Sequence, residues 1–391
     1  MKNVSFLLFA AMFFVICGSV DGKKENRGIT FSINWMSVAD SSSRSLINNF
    51  WNTTHYYFNE ASDSVTWGGH YWPQAHALDV LVDAYLRSGD NFYRGYFEPW
   101  LEGVRRANGD KWANNYIDDM EWIGLAALRA YQATGVSNFL TVCKEVWDGT
   151  TDDMEDCNAA FGIKKAWSDI GEGGIFWESR RNRHSKNACS NGPAAILAAN
   201  LYQAFGDKED LGWAKRIYGW EKQYLFNPES GAIYDNLNTR TGVINTRPIF
   251  TYNQGTFLGA ALELYKITGD KTYLNDATKA ADYTIDNLIN AENNLLKREG
   301  KGDGGLFKGI FIRYFVQLIL SDGISDDIRS RYIDFLKHNG ATLWCEGTSK
   351  QRVLFSSYWK TPPEGNTGHT EHLSGCMLME ALALLQKKGM I

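Results

Sequence analysis

Apolar residues recur along most of this chain at intervals of three and four, the spacing that lines one face of an α-helix. Leu78, Leu81, Val82 and Tyr85 make one such run, and Phe257, Leu258, Ala261, Leu262 and Tyr265 another. The runs end alike. Ala84-Tyr85 is followed by Ser88-Gly89-Asp90 and Tyr93; Ala130-Tyr131 by Thr134-Gly135 and Phe139-Leu140; Leu201-Tyr202 by Phe205-Gly206-Asp207; Leu264-Tyr265 by Thr268-Gly269-Asp270 and Tyr273-Leu274. A glycine just past a helix takes φ > 0 at little cost, and the aspartate after it can cap the next helix. Each such unit therefore predicts a helix, a tight glycine stop and a second amphipathic helix. Hairpins of this kind cannot bury their own apolar face and must stack on neighbours. Their irregular spacing argues against an open solenoid. The prediction is an all-α, closed (α/α)6 toroid whose long loops form a cleft on one face.

Between the helices lie turn-rich stretches at residues 63–73, 164–191, 227–248, 298–305 and 360–368. The second includes a candidate hairpin at Gly173 to Glu178, and the third short β-like runs such as Ala232-Ile233-Tyr234. No Pro/Ser linker divides the chain, so residues 29–391 are expected to form a single domain. Before it, Lys2 precedes a run from Val4 to Ile16 that is apolar except for Ser5. That is the length of a signal-peptide core and too short to span a membrane. Residues 1–17 read as an export signal and residues 18–28 as a polar tether. Cys17-Gly18-Ser19 resembles a lipoprotein attachment site, with a bulky Ile16 where a small residue is usual, so the reading is export with either lipidation at Cys17 or plain secretion. The C-terminal Gln386 to Ile391 does not read as a hydrophobic anchor signal.

Composition narrows the class. Hydrophobic residues make up 44% and charged residues 22% of the 391, ordinary for a globular protein of this size. A net charge of −5 with no basic stripe points away from nucleic acid. The 14 Trp and 19 Tyr suit sugar binding, because a pyranose face stacks on a flat ring whose N–H or O–H stays free to hydrogen-bond. The five cysteines after Cys17 are scattered without a CxxC pair, which leaves buried thiols as the expectation.

The sharpest local chemistry is Tyr116-Ile117-Asp118-Asp119-Met120-Glu121-Trp122 ahead of a helical run. Asp118 with Glu121 three residues on has the form of a capping box, and acidic residues favour a helix start in any case. The same two aspartates, adjacent at a helix start, can also reach the spacing that retaining glycoside hydrolysis asks for: two carboxyls about 5–5.5 Å apart, one ionised and one kept protonated by its neighbour or by apolar walls. Trp112, Tyr116 and Trp122 could supply those walls.

Several blocks in order then carry a resemblance. They are Trp67-Gly68-Gly69-His70-Tyr71-Trp72, the Asp-Asp segment, Gly173-Gly174-Ile175-Phe176-Trp177, Lys186-Asn187-Ala188-Cys189-Ser190-Asn191-Gly192, Thr251-Tyr252-Asn253-Gln254-Gly255, Phe307-Lys308-Gly309-Ile310-Phe311-Ile312-Arg313 and Gly368-His369-Thr370-Glu371. Together, over nearly the whole mature chain, they resemble glycoside hydrolase family 76, the endo-α-1,6-mannanases. The resemblance implies an (α/α)6 fold, an α-mannan substrate, a retaining mechanism, Asp118 as nucleophile and Asp119 as general acid/base.

Around that pair, Trp67, Trp72, Trp122 and Trp177 are candidate sugar platforms. Asn191, Asp235, Tyr252, Asn253 and Gln254 are candidate partners for mannose hydroxyls, with turn and cap chemistry as their other reading. Lys308 and Arg313 sit on a predicted helix, where they belong either to a solvated or salt-bridged face or to the cleft. His369, Glu371 and His372 have HxxH spacing but no evident third ligand and not the HExxH order, so no metal and no other cofactor is expected. Three readings compete with the hydrolase: transglycosylation of mannose-containing glycans, mannan binding without turnover, and an inverting mechanism pairing one of these aspartates with Glu172 or Asp235. A monomer is expected.

Overall fold

A computed structural model describes residues 32–149, 162–179 and 184–391; the export signal, Cys17 and Cys157 lie outside them. Residues Asn34–Ile391 form one compact unit. Its helices are α1 Trp35–Phe50, α2 Tyr71–Ser88, α3 Asn91–Arg94, α4 Phe97–Ala107, α5 Ile117–Thr134, α6 Ser137–Asp148, α7 Ala188–Phe205, α8 Lys208–Tyr224, α9 Thr251–Thr268, α10 Lys271–Asn287, α11 Asp303–Ile319, α12 Asp326–Cys345 and α13 His369–Lys387.

The glycine stops form as the sequence implies. Gly89, Gly135, Gly206 and Gly269 all adopt the left-handed conformation, and each returns its N–H to the carbonyl of Tyr85, Tyr131, Tyr202 or Tyr265 at 2.7–2.8 Å. Asp90, Asp207 and Asp270 then accept the N–H two residues on, at 2.9 Å, and open the following helix. Val136 replaces the aspartate after Gly135 and makes no side-chain cap.

Six helices form the inner ring. α2 packs on α5, α5 on α7, α7 on α9, α9 on α11, α11 on α13, and α13 back on α2. Each is buried over most of its circumference, as a helix walled on every side must be. Around them α4, α6, α8 and α10 each pair with the inner helix that precedes them, α12 spans α11 and α13, and α1 packs on α13. The first helix thus completes the pair with the last and closes the toroid. Close packing of the ring needs small residues. A β-carbon at Gly255 of α9 would stand 2.6 Å from the Phe311 Cα of α11, and one at Gly309 would stand 2.7 Å from the Ser374 Cα of α13.

Because every inner helix follows a return helix, all six point the same way. Their N-termini bring Trp72, Asp118, Cys189, Tyr252 and Asp303 to one mouth. Their C-terminal halves bring Asp79, Asp83, Arg129 and Arg313 to the other, around a separate cavity of about 610 Å³. Among the described residues the β structure is short and lies in loops between helices. A three-stranded antiparallel sheet joins Ser185–Asn187, Asn236–Asn238 and Ile244–Asn245. The candidate hairpin at Gly173 to Glu178 does not form. Ile175 bridges to Trp167 and Glu178 to Tyr116, so this segment ties two other loops together instead of folding on itself.

Candidate active site

The cleft at the helix N-termini encloses about 630 Å³. Asp118 and Asp119 lie at its floor in the first turn of α5. The capping-box reading fails: Tyr116 is the N-cap residue, its side chain makes no cap, and Glu121 points into the protein. The helix start is held by backbone instead, with Ile117 N–H donating to the Trp177 carbonyl at 2.9 Å and Tyr116 bridged to Glu178. That junction fixes the indole of Trp177, whose Nε1 donates to Asp118 Oδ2 at 3.2 Å. The Cys189 thiol, in the first turn of α7, donates to the same oxygen at 3.2 Å.

The two aspartates therefore sit in different environments. Burial raises the Asp118 carboxyl, to about 7, against the opposing pull of the Cys189 and Trp177 donors and of first-turn N–H groups. Asp119 has no such side-chain donors among the described residues. Burial pushes it well above the ordinary carboxylate range, and the charges of Asp118 and Asp303 push it further. Of the two carboxyls, Asp118 is the better supplied with donors and so the easier to ionise.

Aromatic side chains build the walls. On one side Trp72 and Trp122 lie 6.5 Å apart, with the His76 ring beneath them, 4.8 Å from Trp122. Trp72 Nε1 donates to Asp303 Oδ1 at 3.0 Å. On the other side Tyr252 stacks on Phe307 with centroids 3.9 Å apart, flanked by Phe250. Asp235, its carboxyl raised by burial, faces the same space and accepts from Asn253 Nδ2 at 3.1 Å.

Of the residues singled out from sequence, Asp118, Asp119, Trp72, Trp122, Trp177, Asp235 and Tyr252 line the cleft. The others are drawn elsewhere. Trp67 packs edge-on against Tyr57. Asn191 is fully buried and spends its amide on the backbone of Ile175 and Asn187. Asn253 supports Asp235 from behind. Gln254 bonds the Gly231 and Ala280 carbonyls and the Ile233 N–H. Lys308 is neither solvated nor in the cleft. Its ammonium lies 4.2 Å over the Trp359 ring and donates to the Ser357 carbonyl, and burial lowers its pKa to about 7. Arg313 serves the opposite mouth, paired with Asp83 at 3.1 Å and Asp79 at 3.7 Å. Glu172 is exposed and accepts from the Tyr224 hydroxyl outside the cleft. His369 and His372 are buried among Phe50, Phe58 and Phe355. No group of three or more His, Cys, Asp or Glu among the described residues is arranged to hold a metal.

The sequence reading missed Cys189 and Asp303 as cleft residues, along with Phe250 and Phe307. Cys189 and Phe307 stood inside quoted blocks, whereas Asp303 fell in the stretch 298–305 expected to be turn-rich and in fact opens α11.

Beneath the pair, Glu121 is fully buried and neither of its oxygens makes a hydrogen bond among the described residues. Burial, then the charges of Asp118, Glu221 and Asp119, raise its pKa well above the usual 4.5. A carboxyl that folding holds protonated contributes stability fully present below its unfolded pKa and lost as pH rises toward its folded one. Glu121→Gln, isosteric and never charged, is expected to remove that loss. Between pH 5 and 8 the Tm of the wild type should fall further than that of the variant, by about 2–4 °C in a calorimetric series. Parallel curves would mean that Glu121 is not held protonated.

The sequence profile described as glycosyl hydrolase family 76 matches residues 34–391. The α-1,6-mannanase GH76A from Salegentibacter sp. HEL1_6 is 41% identical and superposes with a TM-score of 0.82, covering 90% of this chain and 99% of that one. A variant of the same enzyme, inactivated by replacing two consecutive aspartates with alanine and solved with an α-1,6-linked mannotetraose, is 40% identical, with a TM-score of 0.83 over 90% of this chain and 100% of that one. The mannan endo-1,6-alpha-mannosidase DCW1 of Eremothecium gossypii is 23% identical over 363 residues, 85% of this chain and 73% of that protein.

Proposed function

This chain belongs to glycosyl hydrolase family 76, and from that premise we propose that it is a retaining, endo-acting hydrolase of α-1,6-linked mannan. The observation that carries the proposal is the pair of consecutive aspartates at the floor of an aromatic cleft, one supplied with hydrogen-bond donors and the other without. Ionised Asp118 attacks the anomeric carbon while protonated Asp119 gives its proton to the departing glycosidic oxygen. Asp119, now a base, activates the water that releases the mannosyl group from Asp118. The indoles of Trp72, Trp122 and Trp177 and the Tyr252–Phe307 stack offer faces for mannose rings, and Asp235 and Asp303 offer acceptors for their hydroxyls. The inactivated aspartate variant of the Salegentibacter enzyme, with its bound mannotetraose, supports both the role of the pair and the substrate. Export is part of the same reading, since a mannan polymer is met outside the cell; the N-terminal apolar run and Cys17 bear on that alone.

The test is a digest of unbranched α-1,6-mannan with products sized over time and the first-released anomer followed by NMR. A ladder of short oligosaccharides that appear as α-anomers supports the proposal. Release as β-anomers would move the base role to Asp235 or Asp303, the other carboxylates facing the cleft. Intact polymer would favour binding without turnover, and elongated products with an added acceptor would favour transglycosylation.

The pH profile should show the same asymmetry. As pH falls, activity is lost when Asp118 takes up a proton; as pH rises, it is lost when Asp119 gives one up. Both carboxyls are raised by burial, so kcat/KM should peak near neutrality, with its acid limb well above the ordinary carboxylate range. An optimum near pH 4 would contradict this environment.

A further inference from the structure

We propose that the Cys189 thiol is a positioning residue of this site: with the Trp177 indole it clamps Oδ2 of Asp118 and so holds the carboxyl in one orientation. The proposal rests on the reading of Asp118 as nucleophile. Four observations carry it. Both donors reach the same carboxylate oxygen at 3.2 Å, from two different elements. Oδ1 is buried and makes no hydrogen bond to any described residue, so the side-chain hydrogen bonds of this carboxyl all fall on Oδ2. The sulfur also has the Tyr252 hydroxyl for a neighbour, close enough to act on its ionisation, and Tyr252 is fixed by its stack on Phe307. Finally, Asp119, the adjacent residue on the same helix, has no comparable side-chain donor among the described residues, so the clamp distinguishes the two carboxyls.

A thiol can serve only if it keeps its hydrogen. Burial, then the charges of Asp118 and Asp235, push the Cys189 pKa well above 9, so it remains S–H wherever Asp118 is ionised. A thiol is a weak donor, but a bond to a charged acceptor in a site removed from water counts for more than one in solvent. Its position in the first turn of α7 adds the positive end of that helix to the stabilisation of the Asp118 charge. Removing the donor leaves Asp118 harder to ionise and freer to turn.

The experiment compares the full-length protein with Cys189→Ala, Cys189→Ser and Trp177→Phe. Carboxyl-¹³C aspartate labelling, with the Asp118 resonance assigned by its absence in Asp118→Asn, reads the titration directly. Cys189→Ala and Trp177→Phe should each raise the Asp118 titration by about half a unit or more, the size of a hydrogen bond to a charged group discounted for a partly compensating environment. Cys189→Ser, which keeps a donor, should hold it at or below the wild-type value. In the kinetics, Cys189→Ala should lose about fivefold in kcat/KM on the acid limb and little at the optimum, and serine should restore the limb. A space-filling role would instead lower activity equally at every pH and leave the titration in place; that result overturns the proposal. Should the wild type fail to cleave mannan while the titrations move as expected, the clamp stands and the nucleophile assignment falls. Trp177→Phe and Cys189→Ser keep the test decisive if the alanine variant folds poorly.

Discussion

Asp118→Asn and Asp119→Asn are each expected to lower turnover of unbranched α-1,6-mannan by at least ~10³-fold, about 4 kcal/mol of transition-state stabilisation. The two losses should differ in kind. Without Asp118 there is no covalent intermediate, and no choice of substrate restores the first step. Without Asp119 the leaving oxygen departs unprotonated, which matters less for a substrate whose aglycone is already a good leaving group. An aryl α-mannooligosaccharide should therefore recover much of the first step in Asp119→Ala and little in Asp118→Ala. Azide sharpens the distinction, since it needs no general base. In Asp119→Ala it would displace the mannosyl group from Asp118 and give the α-azide; in Asp118→Ala it would attack the substrate directly from the vacated face and give the β-azide. If only one of the two positions matters, the second catalytic carboxyl lies elsewhere in the cleft, and Asp235 and Asp303 are the residues to replace next.

The ring architecture was legible because its determinants are local. A left-handed glycine and a tyrosine carbonyl, joined in three of the four copies by a capping aspartate, are set within a few residues of one another, and four such copies imply neighbours. Asp118 and Asp119 stood out because they open a helix beside aromatics. What the sequence concealed is direction. Tyr252, Asn253 and Gln254 are consecutive, yet successive residues on a helix diverge by about 100°. Tyr252 therefore faces the cleft, Asn253 reaches Asp235 from behind, and Gln254 turns to the Gly231 loop. Lys308 follows Asp303 by just over one turn and is carried under Trp359. Arg313 could have been excluded beforehand. Ten residues beyond a helix N-terminus at the cleft is roughly 15 Å down the helix, and its partners Asp79 and Asp83 lie correspondingly far along α2. Cys189 was the reverse case: a thiol reads as core filler until the carboxylate it donates to is seen beside it.

Asn191→Ala should be the most disruptive single change outside the aspartate pair, and its outcome separates a wall residue from a substrate contact. The Asn191 amide replaces a missing strand neighbour for Ile175, accepting its N–H at 2.9 Å and donating to its carbonyl at 3.2 Å, with a further bond to the Asn187 carbonyl at 2.8 Å. All of this is buried. Alanine would leave the Ile175 N–H and C=O unpaired, at about 1–3 kcal/mol for each buried group, and a net cost of about 3 kcal/mol should appear as a Tm lower by about 5 °C. Ile175 stands two residues before Trp177, so the loosened loop also frees the indole that donates to Asp118. A roughly tenfold fall in kcat with a smaller change in KM is therefore expected, together with a shift of the acid limb toward higher pH as Asp118 loses a donor. Asn191→Asp should fare worse, because a buried carboxylate would face two carbonyl oxygens. If instead Asn191→Ala keeps its Tm and raises KM alone, the side chain must turn into the cleft when mannan binds.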